Sequence, residues 1–139
     1  MPSLSSVRFG LWVLQAFPTA FLAILFLQSG IDKVIDFRGN QGYLTQHFGN
    51  SPLRGAVTPM LVTLTVIELS AGVLCGVGLV ELVVLGVARI AFWGICVAAT
   101  AFLALFFGQR IAKDYTGAAV LPAYFLVAMV GLWFTRPLH

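Results

Sequence analysis

The chain has 139 residues, 60% of them hydrophobic and only 9% charged, which is too apolar for an ordinary water-soluble domain and too short for more than one domain. A formal net charge of +3, dispersed along the sequence, excludes the concentrated basic patch that a nucleic-acid partner requires. Cys75 and Cys96 have neither C-x-x-C nor metal-ligand spacing, so they read as small apolar core residues, with no metal site expected.

Four apolar runs follow one another: Phe9 to Ile31, Thr58 to Val80, Leu82 to Phe107 and Gly117 to Phe134. About 20 helical residues cross a ~30 Å hydrocarbon layer, and these runs are continuous rather than alternating, so helices and not barrel strands satisfy their backbone. The predicted fold is all-α: a single transmembrane domain over residues 1–139, a polytopic membrane protein built as a four-transmembrane-helix bundle. Its partner by composition is the lipid bilayer.

The first run is too long for a signal-peptide core and lacks a small-residue cleavage site, so it is expected to remain as a helix, kinked at Pro18. A helical tone persists from Gln28 to Arg38, with Gly39 as the expected stop and Gly39-Asn40-Gln41-Gly42 as a turn. Tyr43 to Phe48 is expected at the interface, with His47 as an exposed imidazole, before Gly49-Asn50-Ser51-Pro52 breaks the chain.

The second run carries Glu68 near its centre, with Gly72 and Gly76 as a small-xxx-small step. A short connection near Glu81 then makes the second and third helices a hairpin. The third run repeats the small step at Gly94 and Ala98, and Arg89 near its start is expected to snorkel toward the headgroups. The polar stretch Gly108 to Thr116 follows, with Arg110 and Asp114 spaced to pair if the helix continues.

Four crossings put both termini on one face. The opposite face carries Lys33, Arg38, Arg54, Arg110 and Lys113, against Arg8, Arg89 and Arg136, so the positive-inside rule predicts periplasmic termini. Trp12 and Trp133 fall on the face of the termini, as an aromatic belt would place them.

A carboxylate at mid-bilayer depth costs a few kcal/mol unless it is protonated, paired or hydrated, so Glu68 demands a partner or a task. Counting ~1.5 Å per residue from the expected helix ends leaves Lys33 and Glu68 offset by about 7 Å along antiparallel helices, and their side chains lean toward each other. One reading is a polar pocket of Gln28, Ser29, Asp32, Lys33 and Glu68, closed by Arg110 and Tyr124. The other is a structural Lys33–Glu68 pair that pins two helices and does no chemistry.

Gly30-Ile31-Asp32-Lys33, then Phe37-Arg38-Gly39, then Glu68-Leu69-Ser70-Ala71-Gly72 followed by Gly76 and Gly78, together resemble the DoxX family of small four-helix bacterial membrane proteins. The resemblance runs over essentially the whole chain. Its most specific parts are the Gly-x-x-Lys and Glu-x-x-x-Gly steps, and Phe107-Gly108-Gln109-Arg110 is similar to the bacteroidete-type version. The resemblance implies a bacterial inner-membrane protein near redox chemistry, of the kind associated with thiosulfate:quinone oxidoreduction.

The chain supplies no cofactor ligands and no paired thiols, so catalysis by this subunit alone is not expected. The leading reading is an accessory subunit of a larger membrane complex, respiratory or otherwise redox-linked, whose further partners are other membrane subunits. The alternative is a quinone-binding redox subunit using Glu68 and Lys33; no intrinsic cofactor is expected beyond a quinone or a bound lipid. A small proton-coupled transporter is a third class, disfavoured because no inverted repeat is visible.

Overall fold

The computed structural model describes residues 7–47, 49 and 54–137. Its elements are α1 (Val7–Ile35), α2 (Phe37–His47), a short 3-10 helix (Arg54–Ala56), α3 (Val57–Leu85), α4 (Arg89–Ile111), α5 (Tyr115–Ala118) and α6 (Leu121–Thr135). Among the described residues there is no strand. Helices α1, α3 and α4 are long and apolar enough to cross a membrane, and α6 is a shorter apolar helix.

The four longer apolar helices close a ring in which α1 packs on α3, α3 on α4, α4 on α6 and α6 back on α1. Each neighbouring pair is antiparallel. Trp12 reaches Leu82 while Leu27 faces Gly72, and Gly78 faces Ala91 while Gly94 faces Cys75. Gln15 reaches Phe134 while Phe21 meets Tyr124, and Gly131 faces Ile95 while Tyr124 stacks on Phe102.

The interior interleaves small side chains with large ones such as Phe26, Phe102 and Leu22. Ala23, Ala71, Ala91, Ala98, Ala101 and Ala128 are buried, whereas Phe17, Ile24, Val66, Val80, Trp93 and Leu126 point outward. Water would penalise an apolar exterior on this scale, and a hydrocarbon solvent does not. Burying large aliphatics gains little in lipid, so association relies on close backbone approach between small residues.

Three glycines set that approach. A Cβ at Gly78 would lie 2.5 Å from the Ala91 nitrogen, one at Gly94 2.8 Å from the Cys75 nitrogen, and one at Gly72 2.8 Å from the Leu27 nitrogen. Gly76 would meet only the Leu27 Cδ1 atom, at 4.0 Å, so the tight step on α3 runs through Gly72 and Gly78. Ala98 is buried in the central cluster with Phe26, Ile95 and Phe102. Buried hydroxyls are satisfied within their own helices: Thr19 donates to the Gln15 carbonyl, Thr65 to Leu61 and Thr135 to Gly131.

Several boundaries differ from the sequence expectation. Helix α3 continues past Glu81 to Leu85, and the hairpin turn lies at Gly86–Ala88, where Gly86 takes a left-handed φ of 69° and its N–H bonds the Leu82 carbonyl. The expected turn at Gly39–Gly42 lies inside α2 instead. Asn40 bonds the Asp36 carbonyl through backbone and side chain, and Gln41 donates to the Thr58 hydroxyl at 2.6 Å, so docking on α3 overrides glycine's weak helix propensity.

The fourth run is divided, with α5 and α6 separated at Ala119–Val120. Pro122, in the first turn of α6, has no N–H and its ring clashes with the carbonyl four residues earlier, which ends a continuous helix there. Pro18, by contrast, lies inside α1 without ending it. The expectations for Phe48, for Asn50 to Pro52 and for the side chains of His47 and Arg54 fall outside the described residues.

Candidate functional site

Ser29 and Lys33 are one helical turn apart on α1 and therefore share a face, which α1 turns toward the middle of α3. There the Glu68 Oε2 atom accepts the Ser29 hydroxyl at 2.7 Å and the Lys33 ammonium at 3.0 Å. Lys33 Nζ also donates to Ser29 Oγ at 2.9 Å, closing a three-membered network. The Glu68 side chain is 2% exposed and that of Lys33 15%.

The glycines beside these groups explain how two bulky helices come so close. A Cβ at Gly30 would lie 2.6 Å from Leu69 Cδ2, and Gly72 takes Leu27 against its own backbone. Each helix thus offers a glycine notch to a leucine of the other, beside the ion pair. The Gly-x-x-Lys and Glu-x-x-x-Gly steps are the two halves of one joint.

The other expected pocket residues stand apart from this network. Gln28 and Asp32 are exposed on α1. The Arg110 guanidinium lies 4.5 Å from the centroid of the Tyr115 ring, and half-buried Tyr124 sits between Phe102 and Phe21, with centroids 5.9 and 6.1 Å away. Both lie toward the same end of the bundle as Lys33.

In electrostatic terms the joint is a buried carboxylate neutralised by one ammonium and tied by one hydroxyl, the arrangement that makes a charge tolerable in a low-dielectric interior. It holds helices together without needing a proton to move. Among the described residues no three His, Cys, Asp or Glu side chains converge as a metal site, and Cys75 and Cys96 are free thiols.

A second buried carboxylate escaped the sequence reading. Glu81 is 8% exposed; its Oε1 accepts the Ile90 backbone N–H at 3.1 Å and its Oε2 lies 3.4 Å from the Arg89 guanidinium. Ala88, at the start of α4, offers no capping side chain, so a glutamate of the preceding helix fills that place and meets the positive end of the helix dipole. Arg89 still projects outward, 78% exposed. The legible signal is a lone acid eight residues before a lone arginine, with a glycine between them.

No protein-family model, curated protein or solved structure matches the chain.

Proposed function

We propose that the chain is an integral protein of a bacterial inner membrane, a DoxX-like accessory subunit of a larger respiratory or other redox complex. In this reading the Glu68–Lys33–Ser29 network is a structural joint between α1 and α3. The supporting observation is the joint itself: Glu68 is buried, paired and hydrogen-bonded inside the chain, with glycine notches beside it. Helix α6 alone, 15 residues, is short of the ~30 Å layer, and α5 with α6 supplies about 20 residues for a fourth crossing. The charge bias of the loops supports periplasmic termini.

The exposed apolar faces and the small extramembrane mass suit a subunit that packs among others. Purification from native membranes in mild detergent tests this. A large partner in stoichiometric amount is the expected result, and an isolated chain carrying quinone would overturn it. One observation favours that second reading: Lys33 retains access to solvent while touching Glu68, a geometry through which a quinone-binding subunit could pass protons, with Gln28, Asp32, Arg110 and Tyr124 near that end of the bundle.

A further inference from the structure

The outer face of α1, turned away from α3 and α6, carries one polar side chain deep in an apolar stripe. Leu14, Phe17, Phe21, Ile24, Ile31 and Ile35 are all exposed there, and Gln28, also exposed, stands among them. Leu27 meets Gly72 and Gly30 meets Leu69, so Gln28 is level with Ala71, the midpoint of α3. A ~30 Å hydrocarbon layer reaches about ten helical residues to either side of that level, which leaves Gln28 inside it.

Acyl chains neither donate nor accept hydrogen bonds, and an unpaired polar group among them is costly. Short side chains answer within their own helix: Thr100, exposed on α4, returns its hydroxyl to the Cys96 carbonyl. A carboxamide has two donors and an acceptor, more than the bonded backbone of a helix interior takes up. Its partner must therefore come from outside the chain. A carboxamide is complementary to itself, since the positive N–H edge of one fits the negative oxygen of another.

Two copies inserted with the same topology bring Gln28 to the same depth on parallel helices, where a two-fold axis sets the two amides against each other. The stripe has the spacing for such a pair. Its members from Leu14 to Ile35 recur at alternating steps of three and four residues, the repeat of a two-helix seam, and a single polar residue in a seam fixes register. Asp32 falls on the flank of the stripe, opposite the Leu27 position of a parallel partner, so the two like charges do not oppose.

We propose that α1 is a dimerisation helix: two copies of the chain pack in parallel along this stripe, with their Gln28 carboxamides hydrogen-bonded to each other. The pairing needs only the bilayer setting and is independent of the accessory-subunit reading.

Energy transfer between donor- and acceptor-labelled full chains in liposomes, over a series of protein-to-lipid ratios, tests the assignment. Transfer should saturate with the stoichiometry of a dimer. Gln28→Leu should weaken association about 3- to 30-fold, the range that a hydrogen bond between membrane helices supports, while Gln28→Asn, which keeps the carboxamide, should retain most of it. The face is read by oxidative cross-linking in a Cys75→Ala, Cys96→Ala background. Ile24→Cys and Ile31→Cys should give linked dimers, and Val73→Cys, on the exposed face of α3, should not.

A chain that stays monomeric at every density would overturn the assignment, as would association unchanged by Gln28→Leu. So would cross-links at Val73 in place of Ile24 and Ile31. If the chain is monomeric in liposomes and Gln28→Leu releases a different protein from native membranes, the stripe belongs to another subunit and the dimer is wrong. Should the cysteine-free background fail to fold, the energy-transfer comparison of Gln28→Leu with Gln28→Asn decides alone.

Discussion

Replacing Lys33 by Met removes the cation that pairs with Glu68 in the joint. The carboxylate keeps the Ser29 hydroxyl but is left 2% exposed and otherwise uncompensated. Breaking a buried pair from one side costs about 3–5 kcal/mol, and the cost falls at or somewhat below that range here because Lys33 is itself partly exposed. A loss of about 2–3 kcal/mol is therefore expected for Lys33→Met. Glu68→Gln alone should cost about 1 kcal/mol, since the amide oxygen still accepts from Ser29 and Lys33 can turn toward water.

The double variant, with an apolar chain at position 33 and a neutral amide at 68, has no charge left to bury. It should fall within about 1 kcal/mol of the parent, giving a coupling of about 2 kcal/mol between the two sites. Reversible unfolding in mixed micelles, followed by circular dichroism against the mole fraction of denaturing detergent, measures all four proteins. Losses that add to within ~0.5 kcal/mol would refute the reasoning, since residues in contact within one network must couple.

The packing of α3 makes a contrast between neighbouring glycines. Gly78→Ala should cost about 1–3 kcal/mol, because the new methyl meets the Ala91 backbone, which cannot rotate away, whereas Gly76→Ala should be neutral or slightly stabilising. The same unfolding assay reads both, and equal losses would contradict the helix spacing. At the hairpin, Glu81→Ala should cost about 1–2 kcal/mol by exposing the Ile90 N–H, and Arg89→Ala less than about 0.5 kcal/mol because that side chain is largely solvated. A larger effect at Arg89 than at Glu81 would mean that the ion pair, and not the cap, holds the turn.

Lys33 and Glu68 could be matched from sequence because helix rise and side-chain tilt fix depth. The expected helix ends at Arg38 and Thr58 lie within a few residues of those found at Ile35 and Val57. Depth does not fix which way a side chain faces around the helix. Arg110 and Tyr124 accordingly lie near the correct end of the bundle and yet pack on Tyr115, and on Phe21 and Phe102, rather than on Glu68.

Glu81 was read as a connector because a charge in an apolar run resembles a boundary. Its capping role depends on the Ile90 N–H, which is placed only once Gly86 has turned the chain. The glycines of α2 looked like a turn because local propensity was the only signal, and the Gln41–Thr58 contact that holds the helix down is tertiary. Pro122 did mark the division of the fourth run, but its effect was hidden by the apolar residues on both sides.

The most direct test of whether Glu68 is structural is Glu68→Gln, compared with the parent in native membranes at matched abundance. The substitution keeps size and hydrogen bonding and removes proton exchange. A proton-transferring group contributes about 10²–10⁴-fold to a rate, far outside assay error. On the proposed accessory-subunit reading, assembly of the complex and its quinone-linked respiratory turnover should both stay near the parent level. Turnover lost from an intact assembly would contradict the structural role and place Glu68 in the chemistry.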